Sequence, residues 1–226
     1  MFDLTAEEWQ AVHLSLSVSA RAVAMGLPFA VLASLLLARS NLPGRSVVNV
    51  LVHLPIVLPP VVVGWLLLVT FGVRGPMGQI LNDWFGIRLV FTANGAALAC
   101  AVTTFPFMIR AIRLSLEGVD NGLEDAARAL GARTLDRFFT ITLPLMAPGV
   151  ISGAITAYAV SLGEFGAVIT FASNVPGETQ TLPLAIYAAL QAPGGEATAA
   201  RLSMISILLA MIGLGLGEWA NRKLRP

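Results

Sequence analysis

Five long apolar stretches, at residues 14–37, 47–71, 93–109, 145–172 and 202–217, constrain what this chain can fold into. Each reaches or approaches the roughly 20 residues that a helix rising about 1.5 Å per residue needs to cross about 30 Å of hydrocarbon. The first contains an uncharged run over 22–38, with Arg21 isolated near its start; the fourth is interrupted by one acid, Glu164. Hydrocarbon offers backbone amides no partner, so such stretches must close their own hydrogen bonds as helices. The expected fold class is an all-α membrane protein with about five transmembrane helices, in a single domain over residues 1–226. The third and fifth stretches are the shortest and are expected to tilt little.

The scarce charges give the orientation. Only 12% of residues are charged, against roughly 25% in soluble domains. Arg39 and Arg45 follow the first stretch, Arg110, Arg113, Arg128, Arg133 and Arg137 lie between the third and fourth, and Arg222, Lys223 and Arg225 end the sequence. All ten fall on one face if the chain crosses five times, while Arg74, Arg88 and Arg201 fall on the other, near Glu178 and Glu196. Basic residues in short loops are retained in the cytoplasm. The N-terminus is thus expected outside and the C-terminus inside. The first residues, MFDLTAEEW, are acidic rather than basic, so the first stretch is expected to be retained rather than cleaved as a signal.

Several function classes drop out. No basic run suggests a nucleic-acid partner. His13 and His53 lack ligand-spaced partners, and Cys100 is the only cysteine, so neither a metal nor a cofactor is expected. There is no G-x-S-x-G elbow and no phosphate-binding G-x-x-x-x-G-K-[ST] loop, and Lys223 is the only lysine. If ATP drives this protein, another chain binds it.

Within the spans, HLPIVLPPVVVG places Pro55, Pro59 and Pro60 in the second stretch. Prolines break the helical ladder and free carbonyls, which persist in a membrane only where protein or water satisfies them. A kink lining a pathway and a kink for packing fit equally well. Gly149, Gly153, Ala157 and Ser161 recur every four residues in the fourth stretch, and Gly213 and Gly217 in the fifth; such ridges let helices approach closely. Glu164, in SLGEFGA, is the one acid inside an apolar span, and intramembrane acids are costly enough to suggest function. Its position favours the outer end of the span, where it could support a gate, pair with Arg21 or a backbone amide, or carry a proton. Outside the spans, Gly75-Pro76 and Trp84-Phe85 suggest a turn and an interfacial helix, while the apolar 182–190 is too short to cross and suits a surface or re-entrant helix.

The longest polar interval between spans that carries basic residues, 120–144, has an internal order. Leu123, Ala126, Ala127 and Leu130 fall at i, i+3, i+4 and i+7 and make one short apolar face. Asp120 or Asn121 is placed to cap it, Glu124 and Asp125 suit its first turn, and Gly131 suits a left-handed end. A helix that docks on a partner and an ordinary surface helix share this pattern.

Asp125-Ala126-Ala127, Gly131, Ile141 and Leu143-Pro144 are spaced as in the EAA loop of ABC importer permeases, with Asp in place of Glu. The chain resembles that family, and HLPIVLPPVVVGWLLLV, RAIRLSLEGVD, SLGEFGAVITFASNVPGETQTLP and APGGE resemble molybdate importer permeases over nearly its whole length. The resemblance implies a multi-pass protein of the bacterial inner membrane with type I importer architecture, working as a homodimer with one pathway on its two-fold axis. It implies two copies of a cytoplasmic ATPase below and a periplasmic oxyanion-binding protein above. Glu124, Asp125, Ala126, Ala127, Arg128 and Gly131 would then contact the ATPase, and Ile141, Leu143 and Pro144 would lead into the next span. Pro59, Pro60, Glu164 and Phe165 are the candidates for pathway or gate. Sulfate and tungstate permeases share these features, so they stay as alternatives; a proton-coupled carrier using Glu164 is the alternative from another class.

Overall fold

The computed structural model describes residues 4–39, 44–118 and 121–224. Among them are eleven α-helices and one π-helical turn. Helix α1 (Ala6–Arg39) is opened by a reciprocal cap. The Thr5 amide donates to Glu8 Oε2 at 2.8 Å and the Glu8 amide to Thr5 Oγ1 at 3.2 Å, which satisfies two amides that a helix start leaves free. The next span is in two pieces, α2 (Arg45–Val57) and α3 (Pro60–Phe71), bent by 118° across Leu58 and Pro59. Pro60 opens α3 where its missing amide hydrogen costs nothing. The short α4 (Pro76–Phe85) follows, leaving Trp84 and Phe85 exposed as an interfacial helix would.

Helix α5 (Ala93–Glu117) is the centre of the molecule. Thr92 caps it by accepting from the Gly95 amide at 3.0 Å, and its buried face is built of small residues: Ala96, Ala97, Ala99, Cys100 and Ala101. Small side chains let neighbours come close on several sides at once. Helix α1 runs parallel to it: Arg21 Nη1 donates to Asn94 Oδ1 at 3.1 Å near one end, and Ser34 Oγ to the Ile109 carbonyl at 3.4 Å near the other.

After α6 (Asn121–Ala129), α7 (Thr134–Arg137) and the π-helical turn Phe138–Thr142 comes α8 (Leu143–Leu162), which runs antiparallel to α5. Its ridge of small residues is the contact: a Cβ on Gly149 would lie 2.6 Å from the Ala111 carbonyl oxygen, and one on Gly153 3.2 Å from Met108 Cα. At the outer end Cys100 Sγ lies 3.9 Å from the Ser161 carbonyl. The last helix, α11 (Glu196–Leu224), is antiparallel to α8, with Gly213 against Ala159 and Gly217 against Ile155. Directions therefore alternate through the chain as the arginine distribution requires.

Four helices are long and apolar enough to cross a bilayer, and the bent α2–α3 pair passes the same test when taken together as one span, which gives up to five. The helices overrun the apolar stretches that announced them. The third and fifth are 25 and 29 residues long, not short. The fourth starts at Thr134 and ends at Leu162; Gly166–Phe171 is a separate helix, α9, rather than the rest of one span to residue 172. Polar residues continue a helix beyond the hydrocarbon, so hydropathy underestimates its length, while Gly163 and Glu164 stop it inside an apolar run.

Helix α10 (Leu182–Gln191) is tucked in rather than laid on the surface. Its Leu182 amide donates to Ser15 Oγ of α1 at 2.6 Å, and Leu182 and Ala185 share a core with Ala11, Val12 and Leu202. An ion pair between Arg201 and Glu8, 2.6 Å long with Glu8 only 4% exposed, ties the outer ends of α11 and α1.

Candidate functional site

The residues singled out in the sequence form two groups at opposite ends of α8. At the outer end, the two breaks in the helix ladder meet. A Cβ on Gly166, the first residue of α9, would lie 2.7 Å from Pro60 Cβ, and one on Gly64 would lie 2.8 Å from the Ala167 carbonyl oxygen. Thus Pro59 and Pro60 at the α2–α3 break sit beside Glu164 and Phe165 at the α8–α9 break, and α3 and α9 run on side by side. Leu58 and Phe165 pack on the same buried cluster. Interrupted helices survive in a membrane where protein covers the freed groups, and here each break helps cover the other.

Glu164 has a definite partner. Its Oε1 accepts from the Ala167 amide at 3.1 Å, capping α9, where a carboxylate also suits the positive end of the helix. Arg21, the alternative partner weighed in the sequence, is engaged with Asn94. Phe165 leans on Tyr187 of α10, with ring centroids 5.2 Å apart and planes at 57°. Beside them opens a cavity of about 400 Å³ bordered by Gly163, Pro183, Ile186 and Leu190. Sequence reasoning missed Tyr187. The one signal for it was a lone aromatic ring in the otherwise aliphatic 182–190.

The inner group is a hairpin of α6 and α7. Gly131 adopts φ 87°, the left-handed conformation that glycine tolerates. Its amide donates to the Arg128 carbonyl and the Ala132 amide to the Ala127 carbonyl, both at 3.0 Å. This pair of bonds is a Schellman motif, which satisfies two carbonyls at the helix end. Asp125 and Arg128 pair at 3.4 Å with both side chains 67% exposed, a geometry worth little in stability. Ala126 is exposed and Ala127 half-buried, while Leu123 and Leu130 stand open at 49% and 89%. The Asp120 cap lies outside the described residues, as do the side chains of Asn121 and Glu124.

The return path is firmer. The Arg133 amide donates to Asp136 Oδ2 at 3.3 Å, opening α7, and Leu135 and Phe139 point outward. Ile141 lies in the π-helical turn, half-buried. Leu143 packs against the inner core with Phe138, and Pro144 is exposed in the first turn of α8. The two groups are joined by the 20 residues of α8, about 30 Å of helix.

A family model described as "Binding-protein-dependent transport system inner membrane component" matches residues 26–226. The chain belongs to that family. Among the permeases it resembles, the molybdenum transport system permease protein ModB of Escherichia coli K12 is 59% identical over 219 residues, covering 97% of this chain and 96% of that one. The ModB of Haemophilus influenzae is 50% identical over 218 residues, 96% of this chain and 95% of that one. The sulfate transport system permease protein CysT of Salmonella typhimurium is 38% identical over 184 residues, 80% and 66% of the two chains.

Solved structures agree on the fold. A chain of the bacterial alginate ABC transporter, in complex with its alginate-pentasaccharide-bound periplasmic protein, superposes with a TM-score of 0.72 at 19% identity, over 99% of this chain and 80% of that one. An inward-facing methionine transporter, MetNI, gives 0.68 at 16% identity, over 97% and 94%. This permease of the inner membrane thus has the type I importer fold, and its relatives are transport components rather than enzymes.

Proposed function

We propose that this permease forms, as a homodimer, the passage of an ATP-driven oxyanion importer, with molybdate as the cargo. The observation that carries the coupling half of the reading is the α6 hairpin. It presents open apolar side chains at Leu123 and Leu130 around a small, flat Ala126, and a Schellman motif holds its end. Such a face loses water only against a partner, and two copies of a cytoplasmic ATPase are the partner that the EAA-like spacing of Asp125, Ala126, Ala127 and Gly131 implies. Support for molybdate is the 59% identity to a molybdenum permease across nearly the whole chain. Tungstate and sulfate are its chemical neighbours, and a periplasmic binding protein would select among them.

In this reading, ATP binding draws the two hairpins together and α8 carries the movement to the break at Gly163–Phe165. The aromatic pair Phe165–Tyr187 and the Pro59–Pro60 break then separate on the outer side to admit the anion, and hydrolysis resets them. Glu164, the acid a proton-coupled carrier would use, serves as the cap that holds α9 in place.

The test is co-purification of the tagged permease with the candidate ATPase, followed by ATPase assays in liposomes with the binding protein loaded in turn with molybdate, tungstate or sulfate. Stimulation by molybdate or tungstate and not by sulfate is the expected result. Failure to recover an ATPase, with uptake driven by a proton gradient, would replace this reading with the carrier.

A further inference from the structure

Helices α8 and α11 leave two cavities along one shared face. The inner one, about 240 Å³, is bordered by Ser152 and Thr156 of α8 and by Gly213, Gly217 and Glu218 of α11. The outer one, about 400 Å³, is the space beside Phe165 and Tyr187, where α8 ends at Gly163 and α11 contributes Ser206. The bordering residues fall on one stripe of each helix: 152, 156, 160 and 163 on the α8 side and 206, 213 and 217 on α11. The cavities therefore follow one another along the seam, from the aromatic pair outside to Glu218 inside. Thr156 lies six residues and Ser152 ten residues below the outer end of α8 at Leu162, about 9 and 15 Å of helix, which puts both hydroxyls at hydrocarbon depth.

A helical serine or threonine can satisfy its hydroxyl on the carbonyl one turn earlier. Thr104 does so on Cys100 at 2.7 Å and Thr170 on Gly166 at 2.8 Å. Ser152, Thr156 and Ser206 make no such bond among the described residues, so three free donors stand on the walls of the two cavities. At the inner exit Arg222 Nε donates to Glu218 Oε1 at 2.7 Å, which offsets the one acid there. We infer, resting on the oxyanion-permease reading, that this seam is the anion's route. Ser206 takes the anion from the gate at Phe165–Tyr187, Thr156 and Ser152 pass it inward, and it leaves beside the Glu218–Arg222 pair. Neutral hydroxyls suit that task. Each donates one hydrogen bond to an oxyanion's oxygens, and with no fixed positive charge among them none holds the anion too tightly to leave. Thr156 and Leu214 are exposed along the open side of the inner cavity, where the second copy of the homodimer would supply the facing wall.

Cys100, the only cysteine, is buried, so an introduced cysteine can be read against a low background. Ser152→Cys, Thr156→Cys and Ser206→Cys are made one at a time and labelled in membrane vesicles with an anionic methanethiosulfonate and with its cationic counterpart. The thiolate is the reacting form and needs water around it. Thr156→Cys is therefore expected to react at least tenfold faster than Met211→Cys, on the opposite, apolar side of α11. The anionic reagent should be favoured, and molybdate should slow it. Thr156→Val, nearly the same shape without the hydroxyl, should lower molybdate uptake about tenfold at an unchanged melting temperature, and Thr156→Ser should restore it. Thr156→Cys no more reactive than Met211→Cys, with an ATPase still stimulated by molybdate, overturns the route and leaves the permease reading standing. So does full uptake in Thr156→Val. Labelling that molybdate does not slow, with an ATPase that no oxyanion stimulates, overturns the cargo reading and the route with it.

Discussion

The two ends of α8 are built on opposite rules. At the inner end the chain leaves α6 as a thin hairpin whose apolar side chains touch almost nothing, Leu130 being 89% and Leu135 70% exposed. At the outer end α3, α9 and α10 close on one another, with Ala167, Val168 and Phe171 wholly buried and glycines where a methyl group has no room. One end leaves its apolar side chains open, and the other packs its own against one another. The comparison teaches that substitutions at the two ends should fail in different ways: the outer end by loss of stability, the inner end by loss of coupling with the fold intact.

The sharpest test of the outer end is Gly64→Val. Its Cβ would lie 2.7 Å from Thr170 Cβ and 2.8 Å from the Ala167 carbonyl, so α3 and α9 must separate. Overpacking of this kind costs about 1–3 kcal/mol. The expected outcome is a clearly lowered melting temperature in detergent and a reduced yield, with uptake falling alongside. A variant as stable as wild type would mean that the two breaks are not braced against each other.

Gly131→Val tests the inner end and should reverse the pattern. No atom lies within 4 Å of a Cβ placed there, so crowding is absent, but φ 87° is strained for any side chain. That strain is about 1–2 kcal/mol, felt at the rim of the fold rather than its core. The melting temperature should fall little, while ATPase co-purification and uptake fall at least tenfold because the end of α6 can no longer keep its shape. Full uptake in this variant would remove the hairpin from the coupling assignment.

These contrasts also show what the sequence could and could not disclose. The five crossings, the break at Pro59–Pro60 and the left-handed turn at Gly131 were legible because each is local chemistry: chain length in hydrocarbon, a missing amide hydrogen, a missing Cβ. The ridge Gly149–Gly153–Ala157–Ser161 was legible as a contact, though not the helix it would meet. What escaped was long-range or polar. That Pro60 lies against Gly166 depends on residues about a hundred positions apart, and no periodicity encodes such a meeting. The start of the fourth span at Thr134 was hidden by Asp136 and Arg137, which are helical yet hydrophilic. Tyr187 gained meaning only once Phe165 was beside it.

The smallest effect is expected at the residue that looked most functional. Glu164→Gln keeps an oxygen to accept from the Ala167 amide and loses only the charge at the start of α9. Charge at a helix terminus contributes about 0.3–1 kcal/mol, so the variant should fold, assemble and retain uptake that does not depend on pH any more than wild type does. Glu164→Leu removes the acceptor as well and should cost about 1 kcal/mol, the usual penalty for a lost cap, placing it between Gln and Gly64→Val in melting temperature. That ordering is what a cap predicts. Complete loss of uptake in Glu164→Gln with assembly intact would instead make the acid itself indispensable. The outer end would then contain a charged device, and the contrast between a packed outer end that fails by instability and an open inner end that fails by lost coupling would no longer hold.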